Sequence, residues 1–454
     1  MAIHSPKKHQ MRFLSEEDSR QIHSAALQIL HEVGMNFLDE ETRSLLKSKG
    51  CRQGEDGFLL FEQELIEDAL STVPSKLTLY NQNGGVAVDT SDEVTHFGPG
   101  VNCIFTLDHE TGEIRPCVLD DISKTARLCE RLPNIDVVES LGTPSDVPAE
   151  EESIVTVRAM VEQTSKPVAF TGHDEDKVDK IWAYLADVVG GWDALSEKPI
   201  GIDCTGPTSP LKMEQGACRR LRNAAKRHLP VVCYQGILPG LVSPITLAGT
   251  LAQAAAETLA GIVVHQLTGP GAPLISGSAI LPIDMRTAGI VYGAPEYSLG
   301  CLAAVDYFSH IGVPTWVGAG CSDSHQIDAQ AGAEACMSIT SAILSRTSFA
   351  HNVGYISSGK TGSMEMLVLC DELIGMARRF AAGTSVDEDT LALEVTKHAA
   401  KTSAFVAQKH TMRHLKNEMW FPSLLERRTE NVWREGGSET LQDRIRQKLN
   451  TLLA

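Results

Sequence analysis

Residues 354–361, GYISSGKT, match the pattern of a phosphate-cradling loop, in which backbone N–H groups and a lysine converge on phosphates while a hydroxyl meets magnesium. That chemistry needs a buried strand before the loop, a helix after it, and a second strand ending in an acid that holds the metal. SFAHNVGY reads as the strand and SMEMLVLCDELIGMARRF as the helix, and MLVLCDE imitates the acid-ended strand. Too few residues separate them, because a parallel crossover takes about a dozen or more. Nucleotide binding is therefore set aside. Lys360 has the chemistry of a Schiff-base lysine, yet a loop position between Gly359 and Thr361 offers little burial to depress its pKa. Cys321 and His325, in CSDSH, stand at metal-ligand spacing, but a zinc site needs further donors and no second Cys/His cluster neighbours them. No metal is expected.

The elements that would position such residues repeat. From about residue 94 to 382, short apolar runs close in Gly and polar residues before amphipathic segments: THFGPGVN, NIDVVESLG, KPVAFTGHD, KPIGIDCTG, LPVVCYQG, APLISGSA, VPTWVGAGCSD and FAHNVGYISSG. Pro133, Pro167, Pro199, Pro230, Pro273 and Pro314 open successive runs at intervals of 34, 32, 31, 43 and 41 residues, each the length of a strand plus a helix. Proline suits a first strand position because its missing N–H leaves no ladder bond unmade. Val178, Ile181, Trp182, Leu185, Val188 and Val189 form one helical stripe, and Met213, Ala217, Leu221 and Ala224 another. Continuously apolar strands alternating with helices imply a parallel sheet covered on both faces. Eight such units predict an α/β fold, a (β/α)8 TIM barrel; the Gly-rich fingerprint of an open dinucleotide-binding sheet is absent. The expected division is residues 1–93, an N-terminal helical and β-hairpin extension with Ser15 as a helix cap; 94–382, the barrel; and 383–454, a charged helical tail bearing Trp420 and Trp433. Aromatics on such a tail favour packing on the body or on another subunit, so a homo-oligomer is expected.

In a barrel, chemistry gathers where strands end. GYISSGKT becomes the loop after the eighth strand. Other strand ends supply Phe97, Glu139, Phe170, His173, Asp203, Tyr234, Gln235, Ser276, Trp316, Asp323 and His325, while Glu296 and Tyr297 in GAPEYS start a helix. Phe349, His351, Val353 and Tyr355 alternate onto one side of the last strand. His351 reads either as a hydrogen-bonded core histidine or as a ligand contact. Tyr234 and Trp316 read as packing residues or as walls of a cation site. A net charge of −18 without a basic stripe argues against nucleic acid. No continuous run of about 18 apolar residues and no apolar signal core appear, so membrane spanning and export are not expected, and the expected location is the cytoplasm. The eleven cysteines, none in CxxC spacing, then read mostly as small core residues.

Three stretches carry a resemblance: LSEEDSRQIHSAALQILHEVGMNF, then HNVGYISSG with EMLVLCDELIGM, then HTMRHLKNEMWFPSLLERRTENVWREGG. Over nearly the whole chain they resemble the trimethylamine methyltransferase family. The resemblance implies a (β/α)8 barrel that moves a methyl group from an amine to the cobalt of a separate corrinoid protein. Trimethylamine-specific members carry pyrrolysine, whereas this chain uses the twenty standard residues, so it is similar to the non-pyrrolysine branch acting on quaternary amines. Glycine betaine is the favoured substrate among these, with no tightly bound cofactor and a corrinoid as co-substrate on the partner. Aromatic faces suit such a cation. Phe97, Tyr234 and Tyr355 are the cage candidates, and His351 or His265 is the donor for a betaine carboxylate. Two other readings stay open: a betaine-binding barrel without chemistry, and a zinc-dependent corrinoid methyltransferase for methanol or methylthiols.

Overall fold

The computed structural model describes residues 10–172 and 175–454, so His173 lies outside the described residues. Seven barrel strands are regular: β1 (His96–Pro99), β2 (Val168–Phe170), β3 (Gly201–Thr205), β4 (Val231–Ile237), β5 (Leu274–Ile280), β6 (Trp316–Gly318) and β7 (Phe349–Val353). The expected NIDVVESLG strand is a short extended segment, 136–139. It bonds through Asp136 and Val137 N–H to the Phe97 carbonyl and through a parallel bridge from Val138 to Val168. Parallel pairing runs β2–β3–β4–β5, a bridge from Ser276 to Thr315 leads to β6, and β6 pairs with β7, which pairs with β1. The circle closes.

Alternation along each strand puts Val137, Ala169, Ile202, Val232, Ile275, Trp316 and Phe349 inside, near the strand starts. Trp316 stacks on Phe349 with ring centroids 4.0 Å apart, so two aromatics replace the branched aliphatics usual in a barrel centre. A hairpin, Thr78–Tyr80 paired with Val86–Asp89, closes this end by packing Leu77, Leu79 and Val88 against the same cluster. Burying three such side chains contributes on the order of 5 kcal/mol, which holds a hairpin that alone would be marginal.

Around the barrel lie α1 (Glu16–Glu32), α2 (Gln215–Lys226), α3 (Leu247–Thr268), α4 (Pro295–His310) and α5 (Met364–Ala381). Ser15 caps α1: its hydroxyl accepts from Asp18 N–H while the Asp18 carboxylate accepts from Ser15 N–H. By length and composition α3 is apolar enough to cross a membrane, but most of that stretch is buried between α1, α2 and the strands. The tail behaves in two ways. Its last helix, α7 (Leu441–Leu453), packs back on α5 through buried Ile445 and Leu449, and Glu372 of α5 accepts from the backbone N–H of Ser423 and Leu424. Between them, residues 384–419, including α6 (Lys409–Glu418), bury only Ala399 and expose Val386, Leu391, Leu393, Val406 and Met412.

Candidate functional site

Above the packed floor the inward residues are Cys204 on β3, Tyr234 on β4 and His351 on β7, and over them a cavity of about 540 Å³ opens at the strand C-terminal ends. Tyr234 meets His351 edge to face at 5.3 Å, and His351 lies 5.2 Å from Trp316 below. On the other side Tyr292, from the loop after β5, packs edge to face on Tyr297 of α4 at 5.1 Å and on Tyr355 at 6.2 Å. Tyr355 reaches the cavity because Gly100 opposite has no side chain: a methyl group there would fall 2.1 Å from the Tyr355 ring. The Tyr355 hydroxyl donates to the Val101 carbonyl. Burial pushes the Tyr234, Tyr292 and Tyr355 hydroxyls up, so these rings stay neutral and keep their negative faces.

Charge at the rim is balanced within the wall. Arg220 of α2 pairs with Asp203 in the middle of β3 and donates to the carbonyls of Gly172 at 2.6 Å and Cys204 at 2.7 Å. Beside His351, Glu139 is fully buried with its Oε2 3.6 Å from His351 Nδ1, beyond hydrogen-bond length. Burial pushes its pKa up, and His351 offsets that in part. Both Glu139 oxygens, both His351 ring nitrogens and the Tyr234 hydroxyl are buried without a hydrogen-bond partner. Such unmade bonds are rare in native proteins and mark places where a ligand or water completes the set.

The structure brings together Tyr234, His351 and Tyr355 of the expected contacts and separates the others. His265 sits in the last turn of α3, at the opposite end of the barrel, bonded to Gln266; burial drops its pKa to about 3, so it is a neutral core histidine and no carboxylate anchor. Phe97 faces outward, with the Arg378 guanidinium of α5 over its ring at 5.7 Å. Phe170 also faces out, edge-on to Trp182, and Gln235 bonds to Ala254 and Thr258 of α3. The alternation expected through Tyr355 breaks at Asn352, whose φ is +69°, so Val353 joins the outer core. Ser276 donates to the Cys233 carbonyl, and His325 bonds Ser357. Asp323 accepts from Tyr292 N–H, Gly293 N–H and Ser358, which fixes the tyrosine loop. Cys321 and His325 belong to no three-donor metal cluster among the described residues. Around GYISSGKT the N–H groups of Ser357, Ser358, Gly359 and Lys360 all donate to backbone carbonyls, so none is left to cradle a phosphate. Reasoning from sequence missed Tyr292, Arg220 and Asn352. An aromatic in the loop after the APLISGSA run was the available signal for Tyr292; Arg220 stands among Arg219 and Arg222 with nothing to single it out.

A family profile described as trimethylamine methyltransferase (MTTB) matches residues 2–454. The chain is 29% identical to glycine betaine methyltransferase of Desulfitobacterium hafniense (strain Y51), over 94% of this chain and 90% of that one. It is 30% identical to trimethylamine methyltransferase MttB of Methanosarcina barkeri (strain Fusaro / DSM 804), over 98% and 91%. Among solved structures, the Methanosarcina barkeri monomethylamine methyltransferase (MtmB) aligns over 99% of this chain and 90% of its own, with a TM-score of 0.52 and 12% identity, a likeness of fold.

Proposed function

The chain belongs to the trimethylamine methyltransferase family and is a methyltransferase; we propose that it transfers a methyl group from a quaternary amine to the cobalt(I) of a corrinoid on a separate protein. Glycine betaine, giving dimethylglycine, is the substrate proposed first. The observation that carries this reading is the cavity itself: neutral tyrosine faces line it, and the Arg220 charge is already matched by Asp203. A quaternary ammonium has no N–H to offer, so it is bound by aromatic faces, each worth about 0.5–2 kcal/mol. Tyr234, Tyr292 and Tyr355 supply those faces. His351, with ring nitrogens free of partners, is the donor proposed for the betaine carboxylate.

The leaving group asks for no acid, and the exposed Glu214 carboxylate at the cavity rim is paired with Lys212 at 2.7 Å. A quaternary nitrogen departs as a neutral tertiary amine, so no proton has to be delivered. The protein's task is to hold one N–CH3 bond toward the open mouth, a near-attack geometry worth several kcal/mol. The acceptor cobalt is a substrate brought by another protein. The absence of pyrrolysine agrees with a donor that needs no activation before attack.

The test is spectroscopic. Purified protein with a reduced corrinoid carrier or free cobalamin, offered a panel of quaternary amines, is expected to consume the cobalt(I) absorbance with betaine and to yield dimethylglycine. Unchanged spectra across the panel would remove the reading.

A further inference from the structure

We infer that Glu139 is a buried counter-charge that makes the cavity select the positive charge of its ligand, taking up that role by losing a proton as the cation binds. The inference rests on the proposed quaternary-amine reading and adds to it the element that tells a cation from a neutral molecule of the same shape. Glu139 ends the irregular 136–139 segment, wholly buried, and among the described residues its ion-pair partner is His351 alone. Gly98 on β1 leaves the space: a methyl group there would come within 2.9 Å of Glu139 Oε1 and 3.0 Å of the Phe349 ring. The Glu139 carboxyl lies 3.6 Å from His351 and Tyr234 meets His351 edge to face, so carboxyl, imidazole and phenol form one connected row whose last two members line the cavity. Each of the three keeps buried hydrogen-bonding atoms without partners.

A carboxyl placed so deep favours its neutral form until a positive charge arrives nearby. A trimethylammonium supplies that charge without needing contact, since an electric field acts through the intervening rings in a low-dielectric interior. Binding then converts the acid to the carboxylate and hands one proton to solvent. The groups that face Glu139 are His351 from β7, Tyr234 from β4, Cys204 from β3, Tyr355 from the loop after β7, and Cys129 from the helix Leu119–Arg131. Burial raises the two phenols and two thiols, which stay protonated at ordinary pH, so Glu139 is the group whose proton is exchanged. Glu139 touches neither ligand nor acceptor; it is a positioning residue for charge.

Calorimetry on the full chain tests this with three probes: glycine betaine, tetramethylammonium and 3,3-dimethylbutanoate, the carbon isostere of betaine without the positive charge. Titrations in buffers of different ionisation enthalpy are expected to show proton release with the two cations and none with the isostere, with cation affinity rising with pH. In Glu139→Gln, checked for folding by near-UV circular dichroism, proton release is expected to vanish and both cations to weaken about tenfold while the isostere is unaffected. If Glu139→Gln does not fold, wild-type proton release decides alone. Cations that bind without releasing a proton, or a Glu139→Gln protein that discriminates as well as wild type, overturn the inference. Failure of every cation to bind wild type removes the functional reading, and this inference with it.

Discussion

Replacing Arg220 by alanine opens a specific deficit beside the cavity. The guanidinium is 6% exposed and Asp203 is 0% exposed, with Arg220 Nε donating to Asp203 Oδ2 at 3.1 Å and Nη2 donating to Oδ1. Removing one partner of a buried pair strands the other charge, and such losses run to about 3–5 kcal/mol. Arg220 also donates to the carbonyls of Gly172 and Cys204, but these lie at the cavity rim where water can replace the donor, so they add little. Arg220→Lys keeps the charge but loses the fork that spans both carboxylate oxygens, and an intermediate loss of about 1–3 kcal/mol is expected. The double variant Asp203→Leu with Arg220→Met removes both charges together and is expected to recover most of the loss, because apolar replacements of buried pairs are often neutral. Urea denaturation, compared at unchanged slope, reads these differences as midpoint shifts. A loss below about 1 kcal/mol for Arg220→Ala, or a double variant as unstable as the single, would refute the claim that the pair matters through a stranded charge.

Tyr234→Ala is expected to raise the amine concentration for half-maximal methyl transfer about 2- to 30-fold, while Tyr234→Phe keeps the ring face and stays within about twofold; equal effects in a cobalamin methylation assay would deny the ring a role. For His96, burial pushes the pKa down, but the Asp136 and Asp92 carboxylates push it up further, to about 9. A histidine raised in the folded state stabilises fully below its unfolded pKa near 6.5 and loses that contribution as pH climbs through 9. Melting temperature should therefore fall from about pH 6.5 to 9 and His96→Gln should flatten the fall; an unchanged profile would dismiss the pairing. The apolar residues exposed along 384–419 are proposed to be covered in a homo-oligomer, so light scattering should give a multiple of 49.1 kDa and Val406→Asp with Met412→Asp a lower mass. A monomeric wild type would contradict that.

The repeat of proline-opened apolar runs was enough to announce a barrel, because a strand buried on both faces and a helix with one apolar stripe each leave a periodic mark that needs no tertiary information. Six of the eight runs became regular strands containing or following their expected residues, and the first, HFGP, is a strand of four. The one that did not, NIDVVESLG, is held by Asp136 and Val137 N–H on the Phe97 carbonyl and by a single bridge from Val138 to Val168. Facing was harder to read. All four residues of His96–Pro99 are buried, so polarity gives no phase, and Phe97 was assigned inward when Gly98 is the inward residue. His265 lies on α3, a helix buried nearly all round, where no polar face shows which end or side meets the cavity.

By itself, then, the order of residues determined the class of fold, the end of the barrel where the cavity opens and several of the aromatics that line it, since these follow from local periodicity and residue type. Only the tertiary structure decided that Tyr234, Tyr292, Tyr355 and His351 share one cavity, that Arg220 is matched by Asp203, and that Glu139 is buried beside His351. Those are distances between residues far apart along the chain, set by barrel closure and by where glycine leaves room, and local pattern carries no record of either.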